Sequence, residues 1–324
     1  MIWVIAMLFV VIPPKCFIFR KNFQMIRPPF LIPGDRIRFI SPAGKVKQEV
    51  IMASVQWFEK AGYEVIVGNH AFNSFFQFSG TDQQRLNDLQ TAFDDPYCKG
   101  VFCTRGGYGS IRIVDKLNLN GFMLNPKWLV GFSDITVLHC LLNSNGYASM
   151  HGVMPKLFFD EEGLSDNVNS LIAILRSGII NYSFEPESLN RGGITEGELV
   201  GGNLSLIYGL QGTPFELQTD DKILFLEDTG EHLYHIDRMM HNLRISGKLG
   251  KLRGLIIGDF SEIKDNEDPF GQNVQEIVSE VVRDFSFPVC FGFPGGHEKR
   301  NLALAFGLNW RFSVDEMKTN LTLF

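Results

Sequence analysis

The chain is predicted to be an α/β protein, with an N-terminal Rossmann-like domain on a parallel sheet and a smaller C-terminal α/β domain. Three observations predict it. Short apolar runs alternate with segments whose apolar residues recur at helical spacing. Several of these runs end in Gly-rich turns that open straight into a helical pattern. The length of 324 residues, 45% hydrophobic and 20% charged, is enough for two cores of ordinary size. Strands alternating with helices imply right-handed crossovers, and functional loops then lie at the carboxyl ends of the strands.

The first twelve residues, MIWVIAMLFVVI, are continuously apolar, yet a bilayer core takes about 20 helical residues to cross. No Lys or Arg precedes the run, and Lys15, Arg20 and Lys21 follow it, so it lacks the layout of a signal peptide. Residues 1–24 are expected to be an apolar leader outside the fold, either a translated non-native leader or a weak membrane-targeting segment, with Met25 a natural start and no stable membrane insertion. The N-terminal domain, 25–155, then reads element by element. DRIRFISPAG is a strand entering a Gly turn, VIMASVQWFEKAGY a helix and EVIVG a short buried strand. RLNDLQTAFDDP is an amphipathic helix stopped by Pro96, GVFCTRGGYGS a strand entering a Gly-rich turn, and IRIVDKLN a helix restart. KWLVGFSDITVLHCLLNSNG repeats the strand, turn and helix once more.

A polar stretch, 156–195, is expected to connect the domains, with one helix in NVNSLIAILRSG. The C-terminal domain, 196–324, opens on GELVGGNLSLIYGLQGTP and KILFLEDTGE. A helix in YHIDRMMHNLRISG, the strand GLIIGDF, a helix in NVQEIVSEVVRDF and PVCFGFPGGHEKRNLALAFG follow.

Composition excludes several function classes. With 30 basic against 36 acidic residues and no basic run, the chain lacks the electrostatic footprint of a nucleic-acid binder. Five cysteines (Cys16, Cys98, Cys103, Cys140, Cys290) with no CxxC pair suggest neither a disulfide framework nor a zinc knuckle, and point to a reducing, cytoplasmic setting.

Four constellations carry the chemistry. Ser133 in GFSDIT stands on a sharp turn between a strand and a helix, the setting of a nucleophile elbow, although Ile135 occupies the place of the second Gly in GxSxG. The amide of Asp134 is a candidate oxyanion donor there, while the simpler alternative has Ser133 or Asp134 only capping the helix. Arg105-Gly106-Gly107-Tyr108-Gly109 is a second Gly-rich turn that a neighbouring strand would bring alongside, as a second oxyanion donor or merely a tight turn. Glu227 emerges from an apolar strand, whereas Asp228 and Glu231 are expected to cap the helix beginning near Tyr234. His297 sits behind Gly295 and Gly296 in a loop free to reach another domain. A serine nucleophile needs a base, and the base a third group to fix its tautomer, so Ser133, His297 and Glu227 complete a triad. His232, His235 and His241 raise a metal reading, but HExxH is absent and neither metal nor cofactor is expected. His151 is expected to line the cleft, and His70 and His139 to be structural.

Taken in order, SPAG (41–44), RLNDLQTAFDDP (85–96), RGGYG (105–109), GFSDIT (131–136), HGVM (151–154), GELVGGNLS (197–205), ILFLEDTGEHLYHIDRM (223–239), LRISG (243–247) and GGH (295–297) resemble the serine-type LD-carboxypeptidases. The resemblance implies a Ser, Glu and His triad, matched by Ser133, Glu227 and His297, and an oxyanion hole from the backbones of Gly107 and Asp134. It also implies release of the terminal D-alanine from peptidoglycan tetrapeptides after the L-centre of a diamino acid, and a homodimer. A carboxypeptidase must bind a free carboxylate, for which Arg105 or the amides around Gly106 are candidates. Glu298 and Ala305 depart from the family pattern, and an acid beside His297 would raise its pKa by proximity. Two alternatives remain. One is a self-immunity hydrolase of aminoacyl-nucleotide antibiotics, for which Phe158, Phe159 or Tyr182 would offer a stacking platform. The other is a non-catalytic muropeptide-binding protein.

Overall fold

Arg36–Ile40 (β1) alternates partly exposed Arg36 and Arg38 with buried Ile37 and Phe39, the period-two signature of a strand with one face packed. The computed structural model that contains it describes residues 25–160 and 163–324; the leader expected over 1–24, with Cys16, lies outside them. From β1 the chain runs through α1 (Gln48–Lys60), β2 (Glu64–Val67), α2 (Asp82–Asp94), β3 (Cys98–Cys103), α3 (Asn120–Leu124), β4 (Trp128–Gly131), α4 (Thr136–Ser144) and β5 (Ser149–His151). The five strands are parallel in the order β5-β4-β3-β1-β2. Ile26 forms a bridge to Tyr147, so the chain is part of this layer almost from Met25.

Local chemistry sets the boundaries. Thr81 and Gln84 form a reciprocal capping box at the start of α2. At its far end the buried Lys127 ammonium donates to the carbonyls of Ala92, Phe93 and Asp95, satisfying groups a helix end leaves orphaned. The helix expected in IRIVDKLN is instead two 3₁₀ turns, Ser110–Arg112 and Val114–Lys116. Three β-branched residues in four positions crowd a helix there, and the Ser110 N–H is taken by the Asp134 carboxylate.

The segment 156–195 is built into the fold. It holds a short antiparallel pair, β6 (Phe159–Asp160) with β7 (Gly163–Leu164), then α5 (Asp166–Ser177) and β8 (Ile180–Phe184). The remaining elements are β9 (Gly193–Asn203), α6 (Leu204–Gly209), β10 (Ile223–Thr229), α7 (Leu233–Ile245), β11 (Gly254–Ser261), α8 (Val274–Val281), β12 (Val289–Cys290), β13 (Leu304–Phe306), β14 (Asn309–Val314) and β15 (Thr319–Leu323). They form a second sheet ordered β12-β11-β10-β9-β14-β15-β8, parallel from β12 to β9 and antiparallel beyond. One strand crosses over: β13 pairs antiparallel with β5 at the edge of the first sheet. The halves also share an apolar cluster in which Ile135, Val137 and Leu141 join Val200, Leu204 and Leu226.

The glycine pair of GELVGGNLS explains itself at this junction. Gly201 has φ +147°, and a Cβ there would lie 1.9 Å from the Phe225 carbonyl oxygen on β10. Gly202 abuts Thr136, the first residue of α4, whose hydroxyl accepts the Asn203 N–H. Gly201→Ala is expected to cost about 3 kcal/mol or more, because backbone on both sides must move and the φ suits only glycine. A urea unfolding midpoint within error of wild type would contradict that reading.

Candidate active site

Every residue of β4 is buried, and the strand drives the chain into Phe132 and Ser133 without slack. Ser133 takes φ +62°, a left-handed conformation uncommon for a side chain with a Cβ, and one that costs on the order of 1–3 kcal/mol. It starts a short 3₁₀ turn, Ser133–Ile135, that leads into α4. The turn closes because Ile135 folds back over Gly131, where any Cβ would come within 2.8 Å of it. The isoleucine thus fills space beside Gly131 at the position where GxSxG has its second glycine. Behind the elbow, the Gly131 carbonyl can only accept, so the His139 Nε2 2.9 Å away is the protonated nitrogen, and Nδ1 accepts from the Ser149 hydroxyl. Burial lowers the His139 pKa to about 4, so the imidazole is neutral and structural.

The RGGYG turn lies alongside as expected from adjacent strands. A Cβ on Gly106 would stand 3.0 Å from Ser133 Cβ and 3.2 Å from its Oγ. The Gly44 N–H of SPAG donates to the Gly106 carbonyl at 3.0 Å. Since a trans peptide holds C=O and N–H antiparallel, the Gly107 N–H points away from Gly44. Two side chains hold this turn. The buried Asp134 carboxylate accepts the Ser110 N–H at 2.8 Å, with burial raising its pKa. The buried Arg85 guanidinium donates to the carbonyls of both Pro42 and Gly109. Arg85 was legible only as a cation in the apolar stripe of α2, among Leu89, Ala92 and Phe93.

Glu227 lies toward the end of the buried part of β10, fully shielded from solvent. Its Oε2 lies 2.8 Å from Nδ1 of His297, and Nε2 of His297 lies 3.0 Å from Ser133 Oγ. The carboxylate accepts from Nδ1, leaving the Nε2 lone pair directed at the serine hydroxyl. The structure therefore brings together all three residues singled out in the sequence, from β4, β10 and the loop after β12. Burial lowers the His297 pKa, but the hydrogen bond and charge of Glu227, helped by Asp228 and Asp259, outweigh it and leave the pKa raised. The exposed Glu298 acts instead on Asp259, where its charge helps to raise the pKa.

The His297 loop is anchored by the 156–195 segment. Asn167 of α5 accepts the Asn301 N–H and donates to the Lys299 carbonyl, Ser170 accepts the Ala303 N–H, and Asn301 in turn accepts from Gly296 N–H at 3.3 Å. The Phe132 ring meets the imidazole edge-on at 5.1 Å. A cavity of about 410 Å³ beside His297 is lined by Phe132, Leu157, Phe159 and Glu298. Arg105 opens instead on a neighbouring groove with Lys45, Lys47 and Lys156, and its Nη1 donates to the Lys45 carbonyl at 2.7 Å.

Some expectations are corrected. His151 does not line the cleft: it is wholly buried among Phe132, Phe225 and Phe306, and burial lowers its pKa well below the ordinary value. Asp228 caps α6 rather than α7, accepting the Ser205 N–H and the Asn203 amide, with burial raising its pKa to about 6. Glu231 pairs with His235, and His241 lies near Asp237. Phe158 and Tyr182 are core residues, so of the three suggested platform rings only Phe159 reaches the cavity. His70 is tied to Asp88.

Comparison with known proteins decides the family. Residues 37–152 match the LD-carboxypeptidase N-terminal domain and residues 196–312 the LD-carboxypeptidase C-terminal domain. The chain is also 32% identical to the "Probable murein peptide carboxypeptidase" of Bacillus subtilis, over 90% of its own length and 91% of the relative's. The chain belongs to the LD-carboxypeptidase family. Muramoyltetrapeptide carboxypeptidase from Oxalobacter formigenes, a solved structure of 29% identity, superposes with a TM-score of 0.81 over 89% of this LD-carboxypeptidase and 98% of that chain. The Escherichia coli microcin C7 self-immunity protein MccF is 25% identical over 93% of this chain and 97% of its own. Among the described residues, no helix of this family member is long and apolar enough to cross a membrane.

Proposed function

We propose that the protein is a serine LD-carboxypeptidase that releases the terminal D-alanine of murein-derived tetrapeptides. The observation that carries this reading is the relay from Ser133 through His297 to the buried Glu227, set on a positive-φ elbow. Ser133 Oγ attacks the scissile carbonyl as His297 Nε2 takes its proton. The amides of Gly107 and Asp134 stabilise the oxyanion, and His297 returns the proton to the departing amine. Water, activated by the same imidazole, then releases the acyl-enzyme. The substrate carboxylate is assigned to Arg105 and the amides around Gly106. The buried free thiols of Cys98, Cys103, Cys140 and Cys290 support a reducing, cytoplasmic setting. A homodimer completes the reading and is checked by light scattering.

Mass spectrometry of a muropeptide tetrapeptide incubated with the protein tests the proposal. Loss of one alanine is expected, with or without a chelator, and not with Ser133→Ala. An intact tetrapeptide beside cleavage of an aminoacyl-nucleotide would move the assignment toward the activity class of the MccF relative. Persistence of both substrates would favour a binding protein.

The raised pKa of His297 gives a pH prediction. The working base is neutral imidazole, so kcat/KM falls as pH drops through a value above the ordinary histidine pKa of about 6.5. By linkage, the charged pair stabilises the fold below about pH 6.5, a contribution lost as pH rises through the raised value. An acid limb centred below about pH 6 would contradict the assignment of His297 as base.

A further inference from the structure

Leu157 and Phe159 are large apolar side chains left 43% and 37% exposed, and both line the cavity of about 410 Å³ beside His297. Phe158 between them is buried against Trp57 and Phe58, so the segment sends alternate side chains into the core and into the cavity. The backbone before this wall is tied down. The Pro155 carbonyl accepts from the Ser54 hydroxyl at 2.8 Å, and the Lys156 N–H donates to the Thr104 carbonyl at 3.2 Å. Phe132 and Val153 extend the apolar lining, and His297 itself faces the same space.

The mechanism brings a defined part of the substrate here. The scissile nitrogen must come within hydrogen-bond reach of His297 Nε2 to take its proton. The Cα of the departing residue therefore stands beside His297, carrying a carboxylate and a side chain. Its carboxylate is assigned to Arg105, which opens on the groove that Lys156 lines, while Leu157, the next residue along, lines the cavity. With the amine and the carboxylate so placed, the side chain is left to the cavity. A dry cavity of about 150 Å³ already holds a benzene ring, so the methyl group of alanine leaves most of this one unfilled.

We propose that this cavity is the subsite for the side chain of the departing residue, and that the enzyme also releases bulky apolar D-amino acids, such as D-leucine and D-phenylalanine, from the end of tetrapeptides. This rests on the murein-peptide reading above and extends it from alanine to a class of terminal residues. The step is unchanged: the same amide bond breaks, and water supplies the hydroxyl of the new acid and the proton of the free amine. Leu157 and Phe159 are then specificity residues, which select the departing side chain without touching the reacting bond.

The test compares kcat and KM for tetrapeptides identical but for a terminal D-alanine, D-leucine, D-phenylalanine or D-asparagine, the last matching leucine in shape without being apolar. Each methylene moved from water onto an apolar wall is worth about fourfold. Wild type is expected to favour D-leucine and D-phenylalanine over D-alanine by about fivefold or more in kcat/KM, mostly through KM, and to gain nothing from D-asparagine. Leu157→Asp and Phe159→Ser should each lower the ratio of D-leucine to D-alanine kcat/KM by about fivefold. A wild type that handles D-leucine no better than D-alanine or D-asparagine would overturn the subsite while leaving the carboxypeptidase reading intact. An unchanged ratio in both variants would place the departing side chain elsewhere and also overturn it. Release of no residue from any of the four peptides would sink the murein reading and this subsite with it. The wild-type comparison needs no variant, so it decides even where the substitutions do not fold.

Discussion

Ser133→Ala is expected to reduce tetrapeptide turnover by about 10⁴-fold or more, with substrate binding largely retained. The size follows from what is removed: the nucleophile itself, while the oxyanion donors and the His297–Glu227 pair remain in place. The conformation of the residue allows a control that separates chemistry from folding. At φ +62° the alanine keeps a Cβ and therefore the strain, so its thermal midpoint should match wild type. Ser133→Gly removes Cβ and strain together, and is expected to be equally inactive but more stable by about 1 kcal/mol. Activity of Ser133→Ala above about a tenth of wild type would remove Ser133 from the mechanism. The alternative that Ser133 merely caps α4 fits the structure poorly, since Ile135 holds the N-cap position of α4 and the Ser133 hydroxyl faces His297 Nε2 at 3.0 Å.

Glu227→Gln is expected to lower kcat by about 10⁴-fold with little loss of stability. The carboxylate can only accept from Nδ1, which forces the tautomer whose Nε2 takes a proton from Ser133. A glutamine amide can instead donate to Nδ1, so the ring carries its proton on Nε2 and presents the serine with a donor. The variant also loses the acceptor charge that stabilises imidazolium, so any residual activity should show its acid limb at lower pH than wild type. Stability should hold because Glu227 is a buried charge with Oε1 unpaired, and a neutral isostere carries less desolvation cost. A large fall in the unfolding midpoint would mean that Glu227 serves the core rather than the imidazole.

Much of this was written into local sequence. The strand-and-helix alternation from Arg36 to His151 is carried by short-range periodicity and by breakers such as Pro96, and the parallel sheet followed from it. Ser133, Glu227 and His297 were visible because each stands where an apolar run or a glycine pair stops, at or near the carboxyl end of a strand. The helix expected over IRIVDKLN, 111–118, gave way to two 3₁₀ turns where three β-branched residues crowd together, and the Asp134 carboxylate, 24 positions from Ser110, ties the start of that stretch to the elbow. The caps misled in the same way, since Asp228 serves the helix before its own strand rather than the helix after it.

What the sequence by itself determined was the order of elements and the residue types able to form a relay, because these depend on neighbours within a few positions. Tertiary structure decided which atoms meet. It placed β13 on the first sheet, drew α5 over the His297 loop through Asn167, and buried His151 where a cleft residue was expected. It also left Asp259 Oδ2 shielded from solvent with no partner among the described residues. Those outcomes rest on contacts between residues tens of positions or more apart in the chain, and no local periodicity encodes which distant group will satisfy a buried carboxylate or imidazole.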